Sequence, residues 1–246
     1  MAGSPPHLSV VVPTYNEREN VAVLVPRILG ALHDIECEVI VVDDASPDGT
    51  ADAVRELARA DGRVRLLARE GKLGLSSAAF AGAEAARGAY VCVMDGDLSH
   101  DPMELPQMLA VAQEGAHVVI GSRFAPGGML VNVAFTRRVV SVVANLAARA
   151  LNGLGVRDVL SGFALCERRV LTEAPTRYSA RGFKFLLEVL ATQRQLTVRE
   201  WPIAFRDRRK GSSKATLREG YELAALCARL TAWRVRRRLR RGRTWN

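Results

Sequence analysis

The sequence lacks the markers of several well-defined classes of protein. Over its 246 residues it has no apolar run approaching the roughly 18–20 residues that cross a bilayer, so any membrane contact is expected to be peripheral. No apolar signal region precedes the first predicted strand, and secretion is not expected. Four cysteines lie far apart without paired spacing, which predicts buried, reduced thiols in a cytosolic protein instead of a disulfide or zinc framework: Cys37, Cys92, Cys166 and Cys227.

Glycine-rich phosphate loops are also missing. Length and strand–helix alternation would suit a dinucleotide-binding enzyme, but the loop that leaves the first strand, residues 13–17 (PTYNE), contains no glycine. No Walker-type loop occurs elsewhere. The sequence therefore disfavours both of these common nucleotide-binding arrangements.

Acidic residues are absent from one end of the chain. Residues 223–246 contain eight arginines and no acid, so of the net charge of +9 only +1 belongs to the first 222 residues (9 − 8 = 1). A basic tail predicts a polyanionic partner, and we weigh a nucleic acid against an anionic membrane surface. Only Trp233 and Trp245 are interleaved with the arginines and no nucleic-acid reader motif is present, so we expect no nucleic-acid partner.

Strands alternate with helices along the first half of the chain. This alternation predicts an α/β fold whose sheet is mainly parallel and flanked by helices. The predicted strands are residues 8–13, 37–42, 64–67, 90–94 and 117–120, and the predicted helices are residues 17–33, 50–60, 75–87 and 102–113.

The pattern changes after residue 123. We predict a long amphipathic helix over 131–152, a short strand or turn from Ser161, a helix over 183–193, a strand over 196–205 with Pro202 near a sheet edge, and a basic loop over 206–214. A helix that grows more basic follows from residue 215. The apolar side of the 131–152 helix is predicted to carry Val139, Val140, Val143, Leu146 and Leu151. We divide the chain into a domain of residues 1–214 and a basic amphipathic C-terminal helix of residues 215–246.

Two carboxylates end the apolar strand of residues 90–94. Asp95 and Asp97 are one residue apart, where open α/β sheets bind ligands, and they would repel each other without a cation between them. A divalent ion with oxygen ligands suits this pair, and Gly96 would let a ligand approach the backbone closely. The alternative is a turn in which Asp97 or Ser99 merely caps the helix that begins at Pro102.

Four motifs fall in order at the ends of successive elements: residues 11–17 (VVPTYNE), 41–50 (VVDDASPDGT), 72–75 (KLGL) and 94–100 (MDGDLSH). Together they resemble the family-2 glycosyltransferases of the GT-A fold, most closely the dolichol- or polyprenol-phosphate mannosyltransferases. Later segments extend the resemblance: residues 121–123 (GSR), Arg137 with Ser141 and Asn145, residues 161–163 (SGF), 182–185 (GFKF) and 207–214 (DRRKGSSK). Where the family often has arginine after SGF, this chain has Ala164.

The resemblance implies a set of site residues. A nucleoside would be held by Pro13, Tyr15, Glu17, Val42 and Asp44, and Mg²⁺ or Mn²⁺ by Asp95, Asp97 and Ser99, with Gly96 between the two acids. The donor phosphates would meet Arg123, Lys184, Arg208 and Lys214, and the acceptor phosphate would meet Arg123, Arg137 and Ser141. We expect Asp95, Asp97 and Arg208 to carry catalysis.

Three of the acidic and histidine positions have simpler interpretations. Glu17 alone suits an acid that favours a helix start, Asp48 suits a turn, and His100 suits a surface residue or one behind the metal ligands. Asp158 precedes the SGF motif and would orient the sugar or an arginine.

The resemblance implies transfer of mannose from GDP-mannose to a polyprenyl phosphate, with inversion at the anomeric carbon. A phosphate acceptor is already anionic near neutral pH, so no general base is required, and no isolated base stands out in the sequence. The alternative donors are UDP-glucose and UDP-N-acetylglucosamine. We expect a cytoplasmic protein, peripheral on the cytoplasmic face of an anionic membrane, and a membrane-protein partner stays an open question.

Overall fold

The computed structural model describes residues 7–173, 184–207 and 217–241. The strands are β1 (Leu8–Thr14), β2 (Cys37–Asp43), β3 (Val64–Ala68), β4 (Tyr90–Val93), β5 (Val118–Ser122), β6 (Met129–Val131), β7 (Ala164–Glu167), β8 (Val198–Pro202) and β9 (Ala204–Arg206). The α-helices are α1 (Arg18–Ala31), α2 (Thr50–Ala60), α3 (Leu75–Ala85), α4 (Leu105–Gln113), α5 (Phe135–Asn152), α6 (Arg168–Thr172), α7 (Phe185–Thr192) and α8 (Leu217–Arg241). A 3₁₀ turn, Pro102–Glu104, leads into α4.

Seven strands form one sheet in the order β3-β2-β1-β4-β7-β5-β8. The pairs β1–β2, β2–β3, β1–β4 and β5–β8 are parallel, whereas β7 runs antiparallel to both β4 and β5. The carboxyl ends of β1, β2, β4 and β5 therefore lie at one edge of the sheet, together with the amino end of β7. A separate two-stranded sheet pairs β6 with β9.

Helices cover both faces of the large sheet because successive side chains of a strand point to opposite sides. On β1, Val10 and Val12 join the core beneath α1 and α4, while Val11 joins the core beneath α3 and α7. Both faces of the central strands are thus buried, which explains why their sequences are unbroken apolar runs. The predicted mainly parallel, helix-flanked α/β fold is confirmed.

Two predicted elements are wrong in detail, while a third is present with a direction that was not predicted. The helix expected over 131–152 begins only at Phe135, because Met129–Val131 pairs with β9 as a strand. The strand expected over 196–205 is two strands, β8 and β9, that separate at Ile203 and enter different sheets. The short strand expected near Ser161 is β7, whose antiparallel direction no local pattern indicated, and α6 was not expected.

Helix α8 packs through Leu226 and Leu230, which are buried in the core with α7. The proposed boundary at residue 214 lies outside the described residues, so the division into two domains stays a prediction. Over the ranges that the structure describes, no helix is both long and apolar enough to cross a membrane.

Candidate functional site

The candidate residues gather at the carboxyl edge of the sheet because of its topology. Motif residues follow the ends of β1, β2, β4 and β5, and these ends are adjacent or separated only by β7. Since β7 is antiparallel, its amino end and the SGF segment before it lie at this same edge. Ligands of open α/β sheets bind at such an edge.

Asp44 anchors the loop of residues 71–74. Its Oδ1 accepts hydrogen bonds from Arg69, with Nε at 2.7 Å, and its Oδ2 accepts from the backbone N–H groups of Leu73 and Gly74, both at 2.9 Å. Within this loop, the Lys72 ammonium lies 3.9 Å from the centroid of the Tyr15 ring, a cation–π contact. Asp44 therefore positions a lysine and a partly exposed aromatic ring together, while its direct contact with a nucleoside stays a prediction.

Two further carboxylates organise the loop after β2. Asp43 was not predicted as a site residue, yet its carboxylate accepts from the hydroxyls of Thr14 at 3.1 Å and Ser46 at 2.5 Å and so ties β1 to this loop. Asp48 accepts from the Arg18 backbone N–H and from Thr50, as a turn residue does. Burial raises the pKa of Asp48, but these hydrogen bonds outweigh it, and its pKa is lower than usual.

Glu17 immediately precedes α1. Its carboxylate accepts from the Asn20 side chain at 2.5 Å, and its backbone N–H donates to Thr50 at 3.0 Å. Its side chain makes no capping hydrogen bond to the helix. The helix-start interpretation thus gains no support from hydrogen bonding, and the predicted nucleoside contact of Glu17, like that of Val42, stays a prediction.

The Asp95 carboxylate lies against Gly162. An ideal Cβ built on Gly162 would sit 2.2 Å from Oδ2 of Asp95 and 2.7 Å from its Cγ, so only glycine fits there while the carboxylate keeps its position. Ser161 Oγ donates to the Gly121 carbonyl at 2.7 Å, and the Gly121 N–H donates to the Phe163 carbonyl at 2.9 Å. The SGF segment is therefore held on β5 and forms a wall beside Asp95.

His100 lies on another side of Asp95 and is buried, not a surface residue. Its ring packs on Phe163 and Phe205, with centroids 5.0 and 5.3 Å apart, and Nε2 is 3.5 Å from Oδ2 of Asp95. That distance is too long for a good hydrogen bond. Neither ring nitrogen has a hydrogen-bond partner among the described residues. A buried polar group without a partner is rare, and here Nε2 lies near the Asp95 carboxylate.

Asp97 and Ser99 do not cap the following helix. Asp101 does, because its carboxylate accepts from the Met103 N–H at 3.2 Å, which removes the capping alternative. Asp97 is buried and accepts from the Ser99 N–H at 3.1 Å. Leu98, between them, has a φ of +63°, a left-handed conformation that turns the chain back sharply.

The residues fit a hard divalent cation. Ser99 Oγ is buried and has no hydrogen-bond partner among the described residues, so its oxygen is available close to the Asp97 carboxylate, which accepts from the Ser99 N–H. Within residues 7–173, 184–207 and 217–241, no three His, Cys, Asp or Glu side chains converge as a ready metal cage. The protein could thus supply Asp95, Asp97 and Ser99, and phosphate oxygens and water would have to complete the shell.

Gly96 is packed against the end of β1. A Cβ at this position would lie 3.1 Å from the Thr14 methyl carbon and 3.3 Å from the Pro13 carbonyl oxygen. Gly96 therefore allows the close approach of β1, and the approach of a ligand to its backbone stays a prediction. This contact joins the loop that carries Tyr15 to the loop that carries Asp95.

Arg123 is clamped by a buried acid. Asp158 is fully buried and accepts from the Arg123 backbone N–H at 3.0 Å and from Nε and Nη2 at 2.8 Å each. The guanidinium carbon also lies 5.5 Å from the Phe205 ring, which touches His100. Of the two roles considered for Asp158, the structure shows the orientation of an arginine.

Arg137 and Ser141 lie one turn apart on α5, both half-exposed. Arg137 Nη1 pairs with Asp207, which follows β9. The Arg206 N–H, on the same strand, donates to the Ser99 carbonyl at 3.0 Å. Strand β9 thus connects the predicted acceptor residues to the predicted metal loop, beside a cavity of about 260 Å³ that Ser99, His100 and Asp207 help to line.

Of three further predicted phosphate ligands, only Lys184 belongs to the described residues. Arg208 and Lys214 lie outside the described residues. Lys184 stands just before α7, and its backbone N–H donates to the buried Ser76 hydroxyl at 2.9 Å. Its predicted contact with the donor phosphates stays a prediction.

The cysteines take no part in this site. All four are buried and free, as predicted. Burial raises the pKa of Cys166 to about 12 and that of Cys92, on the neighbouring strand, well above its ordinary value. These thiols stay protonated and unreactive at neutral pH.

Two curated relatives are similar over most of the chain. Polyprenol monophosphomannose synthase of Mycolicibacterium smegmatis is 38% identical over 241 residues, which cover 95% of this chain and 89% of that protein. Dolichol-phosphate mannosyltransferase of Pyrococcus furiosus is 36% identical over 228 residues, which cover 92% of this chain but only 64% of that protein.

Solved structures share the fold at low sequence identity. Glucosyl-3-phosphoglycerate synthase of Mycobacterium tuberculosis, in complex with Mn²⁺, UDP-glucose and phosphoglyceric acid, superposes with a TM-score of 0.68 at 21% identity, over 92% of this chain and 80% of that one. Its complex with Mn²⁺, UDP and glucosyl-3-phosphoglycerate gives a TM-score of 0.64 at 24% identity, over 92% and 78%. The family model of glycosyl transferase family 2 matches residues 9–174. The chain therefore belongs to glycosyl transferase family 2 and is a glycosyltransferase with the GT-A fold.

Proposed function

We propose that the protein transfers mannose from GDP-mannose to a polyprenyl phosphate and inverts the anomeric carbon. The observation that carries the proposal is a carboxylate pair, Asp95 and Asp97, linked through Phe163, His100 and Phe205 to an arginine clamped by Asp158. The similarity to two named polyprenyl- and dolichol-phosphate mannose synthases supports this acceptor and this sugar.

The donor side follows from the loops after β1 and β2. Tyr15 offers a ring for a nucleobase, and the Lys72 ammonium above it adds positive charge. Asp44 holds that lysine loop in place through Leu73 and Gly74. Bound between Asp95, Asp97 and Ser99, Mg²⁺ or Mn²⁺ would neutralise the diphosphate leaving group.

The acceptor side needs charge and orientation, not a base. A polyprenyl phosphate carries its nucleophilic oxygen already deprotonated near pH 7, so no proton must be removed before it attacks. Arg123, held rigid by Asp158, and Arg137 with Ser141 on α5 would orient the phosphate in line with the anomeric carbon. A single displacement breaks the bond to the donor diphosphate and forms the bond to the acceptor oxygen.

The acceptor is a membrane lipid, and we therefore propose a peripheral protein on the cytoplasmic face. Four buried, free cysteines support a reducing compartment, and the arginine-rich end of the chain supports contact with anionic lipid.

The test is a donor screen with a lipid acceptor. The protein is incubated with Mg²⁺ or Mn²⁺, undecaprenyl phosphate and radiolabelled GDP-mannose, UDP-glucose or UDP-N-acetylglucosamine, and the lipid is extracted. We expect label in the lipid only with GDP-mannose, and loss of transfer on addition of chelator. Asp97→Asn should lower the rate by about 10²-fold or more. The matched control is Asp101→Asn, a nearby acid whose capping role asparagine preserves, and it should transfer at the wild-type rate.

A second donor deserves inclusion because the solved neighbours were crystallised with UDP or UDP-glucose. If only UDP-glucose labels the lipid, the transferred sugar is glucose and not mannose, and the proposed acceptor still holds. No labelled lipid from any donor would contradict the proposed function.

A further inference from the structure

Helix α5 faces the protein body with its polar side. The buried positions along it are Asn145, Ala148 and Asn152. Asn145 donates to the Arg157 carbonyl and accepts from the Val159 N–H at 2.9 Å, which fixes the loop before the SGF segment. These contacts determine which side of the helix is turned inward.

The apolar side of α5 is turned outward instead. Its exposed side chains are Phe135, Val139, Val140, Val143, Leu146 and Leu151, and their exposed fractions range from 42% to 78%. The sequence predicted this apolar side but not its exposure, since an amphipathic surface helix ordinarily buries it. A contiguous exposed apolar surface marks a site of interaction.

The charges beside this apolar side indicate what covers it. Helix α5 contains three arginines and no acidic residue. Its last turn contacts α8, where Thr231 and Arg234 donate to the Leu151 carbonyl at 3.2 and 3.4 Å. No acidic residue follows Glu222 in the sequence, so α8 adds further positive charge next to α5. An apolar helix face flanked by the helix's own arginines and by a neighbouring basic helix is typical of a helix that lies in the interface of an anionic bilayer.

We propose that α5 is the membrane-docking element, with Phe135, Val143 and Leu146 inserted among the lipids and the arginines at the headgroups. Helix α8 contributes charge, and its apolar residues Leu226 and Leu230 are buried in the core and do not reach the lipid. The half-buried edge of α5 carries Arg137 and Ser141. If the proposed function holds, a lipid phosphate at the membrane surface would therefore meet the acceptor site directly.

The first experiment compares two substitutions at matched exposure. Val143→Glu changes a side chain that is 58% exposed on α5, and Met103→Glu changes one that is 61% exposed in the 3₁₀ turn. Binding to vesicles of phosphatidylcholine with 30% phosphatidylglycerol is measured by sedimentation at physiological salt. We expect Val143→Glu to weaken binding about tenfold or more and Met103→Glu to leave it unchanged. Equal binding by both variants and the wild type would overturn the proposal.

A second experiment detects insertion directly, by fluorescence, and so does not depend on a substitution weakening vesicle binding. Because the native cysteines are buried, Val143→Cys and Met103→Cys each offer one accessible thiol for an environment-sensitive fluorophore. We expect a blue shift with anionic vesicles only for the label at residue 143. A shift that appears on self-association in the absence of lipid, with a dimer by light scattering, would instead assign α5 to a second copy of the chain.

Sugar transfer to a soluble acceptor distinguishes a failure of the docking proposal from a failure of the proposed function. On a short, water-soluble prenyl phosphate, Val143→Glu should transfer sugar at the wild-type rate, since its effect is confined to docking. No transfer by the wild type with that acceptor would contradict the proposed function while leaving the vesicle result to decide the role of α5.

Discussion

Gly162→Ala should disable the site without unfolding the protein. The new Cβ would lie 2.2 Å from Oδ2 of Asp95, and carbon–oxygen contacts are not made much below 3 Å, so the carboxylate must move by about 1 Å. The side chain can rotate, so the stability cost is that of an off-rotamer carboxylate, about 1 kcal/mol. Misplacement by about 1 Å costs a positioned group about 10²-fold in rate.

Three readouts test this reasoning about Gly162. Sugar transfer to lipid should fall about 10²-fold, and Mn²⁺ binding in the presence of GDP, followed by electron paramagnetic resonance, should weaken. The thermal midpoint should change little. The control is Gly155→Ala, since a Cβ there has no neighbour within 4 Å. Wild-type transfer and Mn²⁺ affinity in Gly162→Ala would refute the view that this glycine positions Asp95.

The remaining predictions concern the arginine clamp and acid stability. Asp158→Ala leaves Arg123 without its buried partner; we expect about 3 kcal/mol of destabilisation in urea unfolding, with a higher KM for prenyl phosphate and an unchanged KM for the donor. An equal rise of both KM values would instead place Arg123 at both phosphates, as the resemblance implied. Glu38 is buried; burial raises its pKa, but hydrogen bonds from the Arg87 N–H, Arg65 and Ser9 lower it below the ordinary 4.5. A carboxyl whose pKa is lower in the folded than in the unfolded protein stabilises the fold above about pH 4.5, and this stabilisation is lost as the pH falls through the folded-state pKa. The difference in unfolding free energy between the wild type and Glu38→Gln should therefore be largest near pH 7 and shrink below about pH 4.5. A gap independent of pH from 7 to 3 would contradict the ionised state of Glu38.

Local patterns were sufficient for the elements and for the edge at which the site lies. The runs before Asp43 and Asp95 are apolar on both faces, which identifies buried parallel strands, and the acids at their ends then share one edge of the sheet. The order of the motifs was likewise sufficient to identify the family, because each motif is a short local segment that can be read from the sequence alone. Asp95 and Asp97 were predicted as metal ligands in this way, and the resemblance to the family added Ser99.

Long-range pairing decided the rest, since it depends on residues far apart in sequence. The insertion of β7 between β4 and β5 brings Gly162 against Asp95, and nothing near either residue predicts that contact. The clamp of Asp158 on Arg123 and the burial of His100 between two phenylalanines likewise join distant segments. Hydropathy indicated that α5 has an apolar side, but a helical period cannot tell what lies against it. Only the packed chain, with Asn145 and Asn152 turned inward, left that side exposed.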